Sequence, residues 1–172
     1  MFDTKQSFDD VVGDAYVHDG QTHSRGIEAE AQTRVDALTL NASALWQRVR
    51  REGALDPAND GLRPTNVPAT AVKLLASYAV AQVPGLSVLG NVGYEGAREV
   101  FPDNGVQIPG WTRYDLALRY AQSLGATGLV WRAGVNNVFD RRAWRESPYQ
   151  YDHAYLFPLE PRTFFASVEA NF

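Results

Sequence analysis

The sequence predicts an all-β fold, an antiparallel up-and-down transmembrane β-barrel segment of about eight strands. Three observations predict it. Apolar and polar residues alternate with a period of two through most of the 172 residues. The connections between alternating segments are by turns long and short. And the chain closes on Arg162–Phe172, in which Phe164, Ala166, Val168, Ala170 and Phe172 oppose Thr163, Phe165, Ser167, Glu169 and Asn171, with an aromatic as the terminal residue.

The bulk numbers are compatible with this reading and remove others. A composition of 45% hydrophobic and 21% charged residues is ordinary for a folded domain. The net charge of −4, without a cluster of Lys and Arg, excludes a nucleic-acid partner. No cysteine is present, so there are neither disulfides nor thiolate metal sites. Apolar runs fall far short of the roughly 18 residues of a spanning helix, whereas a barrel strand needs only about 9 to 11 alternating ones. The first residues, MFDTKQSFDD, lack a charged region followed by an apolar core, so no secretory signal is read there.

Taken in order, Phe2–Lys5 alternates like the end of a strand begun upstream of Met1. Residues 8–23, with Asp9, Asp10, Gly13, Asp14, Asp19 and Gly20, read as a polar, turn-rich loop. Ser24–Thr33 places Ile27, Ala29 and Ala31 against Glu28, Glu30 and Gln32; a helix would scatter those carboxylates, and a strand gathers them. After a break at 34–37, Leu38–Arg48 sets Leu38, Leu40, Ala42, Ala44 and Trp46 on one face, and a loop is expected over Val49–Val67. Pro68 opens a strand with Val72, Leu74, Ala76 and Tyr78 outward, Pro84 and Gly85 make a tight return, and Leu86–Glu95 follows. Beyond the loop Gly96–Pro109, Trp111–Tyr120 turns Tyr114, Leu116, Leu118 and Tyr120 one way and Arg113, Asp115 and Arg119 the other. A turn over Ala121–Thr127, a strand over Gly128–Phe139 and a long loop over Asp140–Pro161 lead to the last strand.

From Ile27 onward none of the outward positions is charged. Lys or Arg on a lipid face costs about 2 to 4 kcal/mol at mid-membrane, which explains such a purge. The opposite face is assigned Arg25, Lys73, Arg113, Arg119 and Arg132 with Glu28, Glu30, Glu95, Asp115 and Glu169, a wall facing water. Trp46, Tyr78, Tyr94, Tyr114, Tyr120, Phe164 and Phe172 fall near strand ends, as interfacial girdles do. A soluble β-sandwich binding module would share the alternation, with the apolar face as its core. A complete small eight-stranded barrel with a structural or adhesive role is the other alternative, since eight strands can close.

Five segments resemble, in order, the C-terminal part of TonB-dependent siderophore receptors: SRGIEAEA (24–31), NVPATAVKLLASY (66–78), PGWTRYDLALRY (109–120), GVNNVFDRRAW (134–144) and PRTFFASVEANF (161–172). The family usually has Leu where Val138 stands and a Gly-rich approach where Leu159 and Glu160 precede Pro161. The resemblance implies a larger barrel of about 22 strands filled by a plug, in the outer membrane of a Gram-negative bacterium, importing ferric siderophores. Residues 1–172 would then be the C-terminal part of the barrel domain, without plug, TonB box or signal peptide. Such a segment would not transport alone. Its partners would be outer-membrane lipid, the barrel-assembly machinery acting on the strand that ends at Phe172, and TonB only through the absent N-terminal part. The ferric siderophore is the transported ligand, with no cofactor implied.

Within that frame the loop Asp140–Pro161 is the candidate ligand-binding mouth. Trp144, Tyr149, Tyr151, His153 and Tyr155, with Arg142 and Arg145, suit an anionic or aromatic ferric chelate through stacking and cation–π contacts. Arg113, Asp115, Arg119 and Arg132 are read as lumen-wall charges paired across strands. No catalytic residues are assigned: His18, His23 and His153 read as solvated loop histidines without metal spacing or a triad. The aspartates 9, 10 and 14, and Asp56 with Asn59 and Asp60, lack the ligand series of a calcium loop. An enzyme is therefore not expected.

Overall fold

The computed structural model describes residues 1–12, 15–125 and 127–172. Gly13 and Asp14 of the expected first loop, and Ala126 of the expected third turn, lie outside them. Eight long strands form one antiparallel sheet in which each pairs with the next in sequence. They are β1 (Phe2–Val12), β2 (Ala15–Val35), β3 (Leu38–Glu52), β4 (Thr70–Ala79), β5 (Leu86–Glu95), β6 (Trp111–Leu124), β7 (Thr127–Asn136) and β8 (Thr163–Asn171). Among the described residues the one helical element is a 3-10 turn, Pro57–Asn59.

Register confirms the face assignment row by row. Val35, Leu38, Tyr78, Val88, Leu118, Ala133 and Ala166 lie opposite one another across seven strands. Ala31, Ala42, Leu74, Val92 and Tyr114 form a second such row. These apolar faces stay open: Trp46 is 57% exposed, Leu116 53% and Val168 55%. A soluble sandwich would hide this face under a second layer, and no second layer exists among the described residues.

The buried apolar side chains, Val49, Val100, Ile108, Trp111 and Leu159, all sit at the end of the sheet carrying the long connections. The core is therefore a cap built from strand ends and loops. It is not a layer behind the sheet.

Several boundaries move. Residues 8–23 are mostly strand, not loop: β1 runs to Val12 and β2 starts at Ala15, with one register irregularity between Ser7 and Asp9. Their polarity shows that this part of the sheet has no apolar face. At about 3.4 Å per residue, the 21 residues of β2 span roughly 70 Å, more than twice the bilayer core. The first excursion is thus made by the strands themselves, which pair out to Val12 and Ala15. β3 continues to Glu52 and β6 to Leu124, while β4 begins at Thr70 and β7 ends at Asn136.

Arg25 is a further correction. It pairs with Arg48, one pleat from the Ile27–Trp46 pair, and so shares the outward face. The sequence reading grouped it with the wall by its charge, against its parity.

At both edges of the sheet an inward aromatic lies over a glycine. The Phe2 ring would be 2.6 Å from a Cβ at Gly26, and the Phe165 ring 2.8 Å from one at Gly134, so no larger residue fits beneath either ring. This accounts for Phe165, the apolar exception on the polar face of β8. Its ring fills the space that its cross-strand partner leaves empty.

Candidate functional site

The mouth begins where β7 ends. Asn137, only 1% exposed, adopts a left-handed φ of 53° that Asn tolerates better than most residues. Its backbone N–H donates to Asp115 Oδ1 at 2.8 Å. Its side-chain amide donates to the carbonyls of Arg141 (3.0 Å) and Glu160 (2.8 Å), while its Oδ1 accepts the Arg141 N–H at 2.8 Å. One side chain thereby fastens both ends of the last loop to the wall. Asp140 adds a second tie by accepting the Arg162 N–H at 3.0 Å. That bond, with Arg142 and Arg162 nearby, holds the Asp140 carboxyl below its usual range despite some desolvation.

The loop is itself folded. Trp144 pairs with Pro158 and Glu146 with Phe157; farther out Tyr149 pairs with Ala154 and Gln150 with His153. Tyr151 and Asp152 close this hairpin with φ of 50° and 59°, the geometry of a two-residue type I′ turn. At its waist the fully buried Ser147 donates its N–H to Asn66 Oδ1 at 2.8 Å. Asn66 also accepts from Arg98 Nη1 at 3.0 Å and donates its own N–H to the Glu99 carbonyl. The Glu99 carboxylate accepts from Arg63 and Gln107, each at 3.0 Å. Three connections, 53–69, 96–110 and 137–162, are thus joined through buried polar groups that satisfy one another, as burial requires.

The predicted binding residues are distributed along this loop. Trp144 and Arg142, with Arg141, line a cavity of about 700 Å³ floored by Leu159 and bounded by prolines. Arg145 pairs with Glu146 at 3.0 Å. Tyr149 meets Phe101 edge-on, ring centroids 6.1 Å apart, and its hydroxyl reaches Asp152 Oδ1 at 3.2 Å. Tyr151, His153 and Tyr155 are exposed at the far end of the hairpin, away from that cavity.

Of the wall residues, Arg113 Nε lies 3.1 Å from Asp115 Oδ1 along the same strand, and Arg132 pairs across to Glu169 at 3.0 Å. Arg119 stands opposite Arg132 in the ladder. Asp115 does more than balance charge, since it also accepts from Asn91 Nδ2 at 2.8 Å and from Asn137.

Sequence reasoning missed Asn66, Glu99, Asn137 and Ser147. Asn137 alone had a local signal, an Asn at a strand end inside the NNVFDRR segment. His23 also departs from expectation. It is not solvated but 11% exposed, with Nε2 2.6 Å from Asp3 and Nδ1 2.6 Å from Glu52. His18, by contrast, is 64% exposed beside Asp9. Asp56 and Asp60 cap backbone amides, Ala58 N at 3.0 Å and Gly53 N at 2.7 Å, so their presence has a structural explanation.

Comparison with known proteins places this geometry in context. A family model described as "TonB dependent receptor-like, beta-barrel" matches residues 2–138. The ferrichrome receptor FcuA of Yersinia enterocolitica is 30% identical over 164 residues, 95% of this chain and 21% of that protein. The metal-pseudopaline receptor CntO of Pseudomonas aeruginosa is 33% identical over 115 residues, 65% of this chain and 15% of its own length. Among solved structures, the ferric preacinetobactin receptor BauA of Acinetobacter baumannii superposes with a TM-score of 0.80 at 24% identity, covering 98% of this chain and 25% of that one. The ferric yersiniabactin receptor FyuA of Yersinia pestis gives 0.74 at 19% identity, covering 92% and 25%. The chain spans about a fifth of the length of the curated relative FcuA.

Proposed function

The chain belongs to the TonB-dependent receptor β-barrel family, and from that premise we propose that it supplies an eight-strand arc of wall, and the mouth above it, to an outer-membrane receptor for ferric siderophores. The observation that carries this reading is the alignment of 95% of the chain with a ferrichrome receptor. The polar rows facing away from lipid and the loop cap at one end agree with it. In this reading the wall residues Arg113, Asp115, Arg119 and Arg132 line the lumen, TonB supplies the energy for uptake, and the strand ending at Phe172 addresses the barrel-assembly machinery.

The chelate meets the mouth through Trp144, Arg142 and the neighbouring Arg141, where a planar ring and two cations border one cavity. Tyr149, Tyr151, His153, Tyr155 and Arg145 extend that surface outward along the hairpin. The test is ferric hydroxamate binding and radio-iron uptake by a receptor carrying this segment. Trp144→Ala and Arg142→Ala should each weaken binding about three- to tenfold, the range of a lost stacking or cation–π contact. Uptake should vanish without TonB. Unchanged affinity in Trp144→Ala, Arg142→Ala and Tyr151→Ala together would refute the mouth assignment and leave family membership untouched.

A further inference from the structure

We propose that Asn104 is a hydrolytic modification site: deamidation there, restrained by a clasp on Arg63, turns the amide into a carboxylate and releases the connection 96–110 from 53–69. Of the chain's asparagines only Asn104 is followed by glycine. Glycine has no Cβ to hold its backbone nitrogen away from the preceding side-chain carbonyl. Asn104 is half-buried and Gly105 exposed, so water reaches both.

The clasp imitates a strand pair. Asn104 takes a left-handed φ of 56°, which lays its side chain along the backbone of Arg63. Its Oδ1 accepts the Arg63 N–H at 2.9 Å, and its Nδ2 donates to the Arg63 carbonyl at 2.9 Å, the exchange that one residue of an antiparallel pair makes with another. Arg63 is anchored in turn through its guanidinium, which donates to Glu99 at 3.0 Å. The Gly105 N–H is also engaged, on Asp103 Oδ1 at 2.9 Å. While the clasp is closed, the Asn104 amide and the Gly105 nitrogen are each held by another partner. When the two connections part, both are released.

The Gly105 nitrogen then gives its proton to solvent base and attacks Cγ of Asn104. The new C–N bond closes a cyclic imide, and Nδ2 takes a proton from water and leaves as ammonia. Water adds to one of the two imide carbonyls and the C–N bond there breaks, giving Asp when it is the bond to Cγ and isoaspartate when it is the bond to the backbone carbonyl. One water is consumed and one ammonia released, with no change of oxidation state.

The product does not fit where the amide stood. Nδ2 lies among three carbonyl oxygens, that of Arg63 at 2.9 Å and those of Phe101 and Pro102 at 3.4 Å each. A carboxylate oxygen in that place has no hydrogen to donate and sets a negative charge against three acceptors. The clasp therefore cannot close again, and 53–69 loses one of its holds on the cap.

The experiment is peptide mapping by mass spectrometry on a receptor carrying this segment, held folded in mildly alkaline buffer, with amide-to-acid conversion read at each asparagine. Heat-modifiable migration serves as the folding control. Asn104 should convert ahead of Asn59 and Asn91. Glu99→Gln, which loosens Arg63, should speed that conversion about tenfold, the weight of one charge-assisted hydrogen bond. Gly105→Ala should slow it several-fold. Asn104→Asp, the product itself, should bring earlier proteolysis within 53–69. Conversion at Asn104 no faster than at Asn59 and Asn91 overturns the proposal, as does an unchanged rate in folded Glu99→Gln. A folded Asn104→Asp receptor that resists protease as before also overturns it. Should that variant not fold, the protease reading is taken on the aged, unaltered receptor, and equal resistance of its converted and unconverted fractions is the overturning result.

Discussion

Between Tyr78 and Trp46 the sheet is a single layer with both faces open; above Trp46 the same strands and their loops fold onto one another and bury side chains. In the lower region the surroundings impose the order. In the proposed membrane setting, lipid on one side and water on the other enforce alternation, and the residues themselves bury almost nothing. In the upper region water lies on both sides, so order must come from specific contacts such as Asn137 to Arg141 and Glu160, Ser147 to Asn66, and the buried Arg51–Asp19 pair. One chain thus uses two sources of stability, stacked along the same strands.

The sharpest way to separate them is a charge placed on either face of the lower region. Leu74→Arg should destabilise the folded protein in vesicles by about 2 to 4 kcal/mol, read from urea titration. Ser43→Arg, on the opposite face beside Glu30, should cost under about 1 kcal/mol. Equal costs would mean that the two faces do not differ as described. In the upper region Asn137→Ala removes the three side-chain hydrogen bonds that close the last loop. About 1 to 3 kcal/mol is expected, with early proteolysis within 140–161, because three backbone groups at the two ends of the loop lose their partner. Should the loop resist protease as before, the Asn137 tie is not what holds it.

A smaller effect is expected from Gly134→Ala, which pushes a methyl against the Leu116 carbonyl, 2.5 Å away, and into the Phe165 ring at 2.8 Å. About 1 to 2 kcal/mol should be lost, and Phe165→Ala in the same chain should relieve only the ring's share, the Leu116 carbonyl staying in place.

The least effect should come from pH, and only at the top of β1–β3. Lys5 first and His23 next lower the Glu52 carboxyl from 4.5 to about 2. Its contribution is therefore present above pH 4.5 and is lost as pH falls through about 2. Asp3 and Glu52 raise His23 above its usual 6.5, so its contribution is full below 6.5 and is lost as pH rises through the raised value. Amide protection in β1, the exchange rate divided into the intrinsic rate at the same pH, should be greatest between about pH 4.5 and 6.5, and greatest protection in alkali would contradict the bridge.

The same division explains what the sequence made legible. Eight strands, their order and every lipid-facing row from Ile27 to Ala170 could be read, because a solvent contrast writes period two into the chain. Where the contrast ends, so does the signal. Residues 8–23 look like loop because their aspartates and glycines obey no alternation, although Asp9–Val12 and Ala15–His18 pair as strands. Arg25 was assigned by its charge when its parity with Ile27 pointed the other way. Of the mouth, the cluster of aromatics and arginines was visible, but its supports were not. Ser147 and Asn66 are 81 residues apart, and no local pattern announces such a contact.

The unbroken rows across β2 to β8 also act as an error-detecting code for assembly. If β6 joined β5 one residue out of step, Arg113, Asp115 and Arg119 would all turn into lipid, at about 2 to 4 kcal/mol for each arginine near mid-membrane. A two-residue slip would pass that check, since every face is restored. It would fail the next one, because Asp115 would no longer meet the Asn91 side-chain amide across the same pair. Odd errors are rejected by the solvent and even errors by the Asn91–Asp115 bond, so a strand added to this wall has one setting that satisfies both.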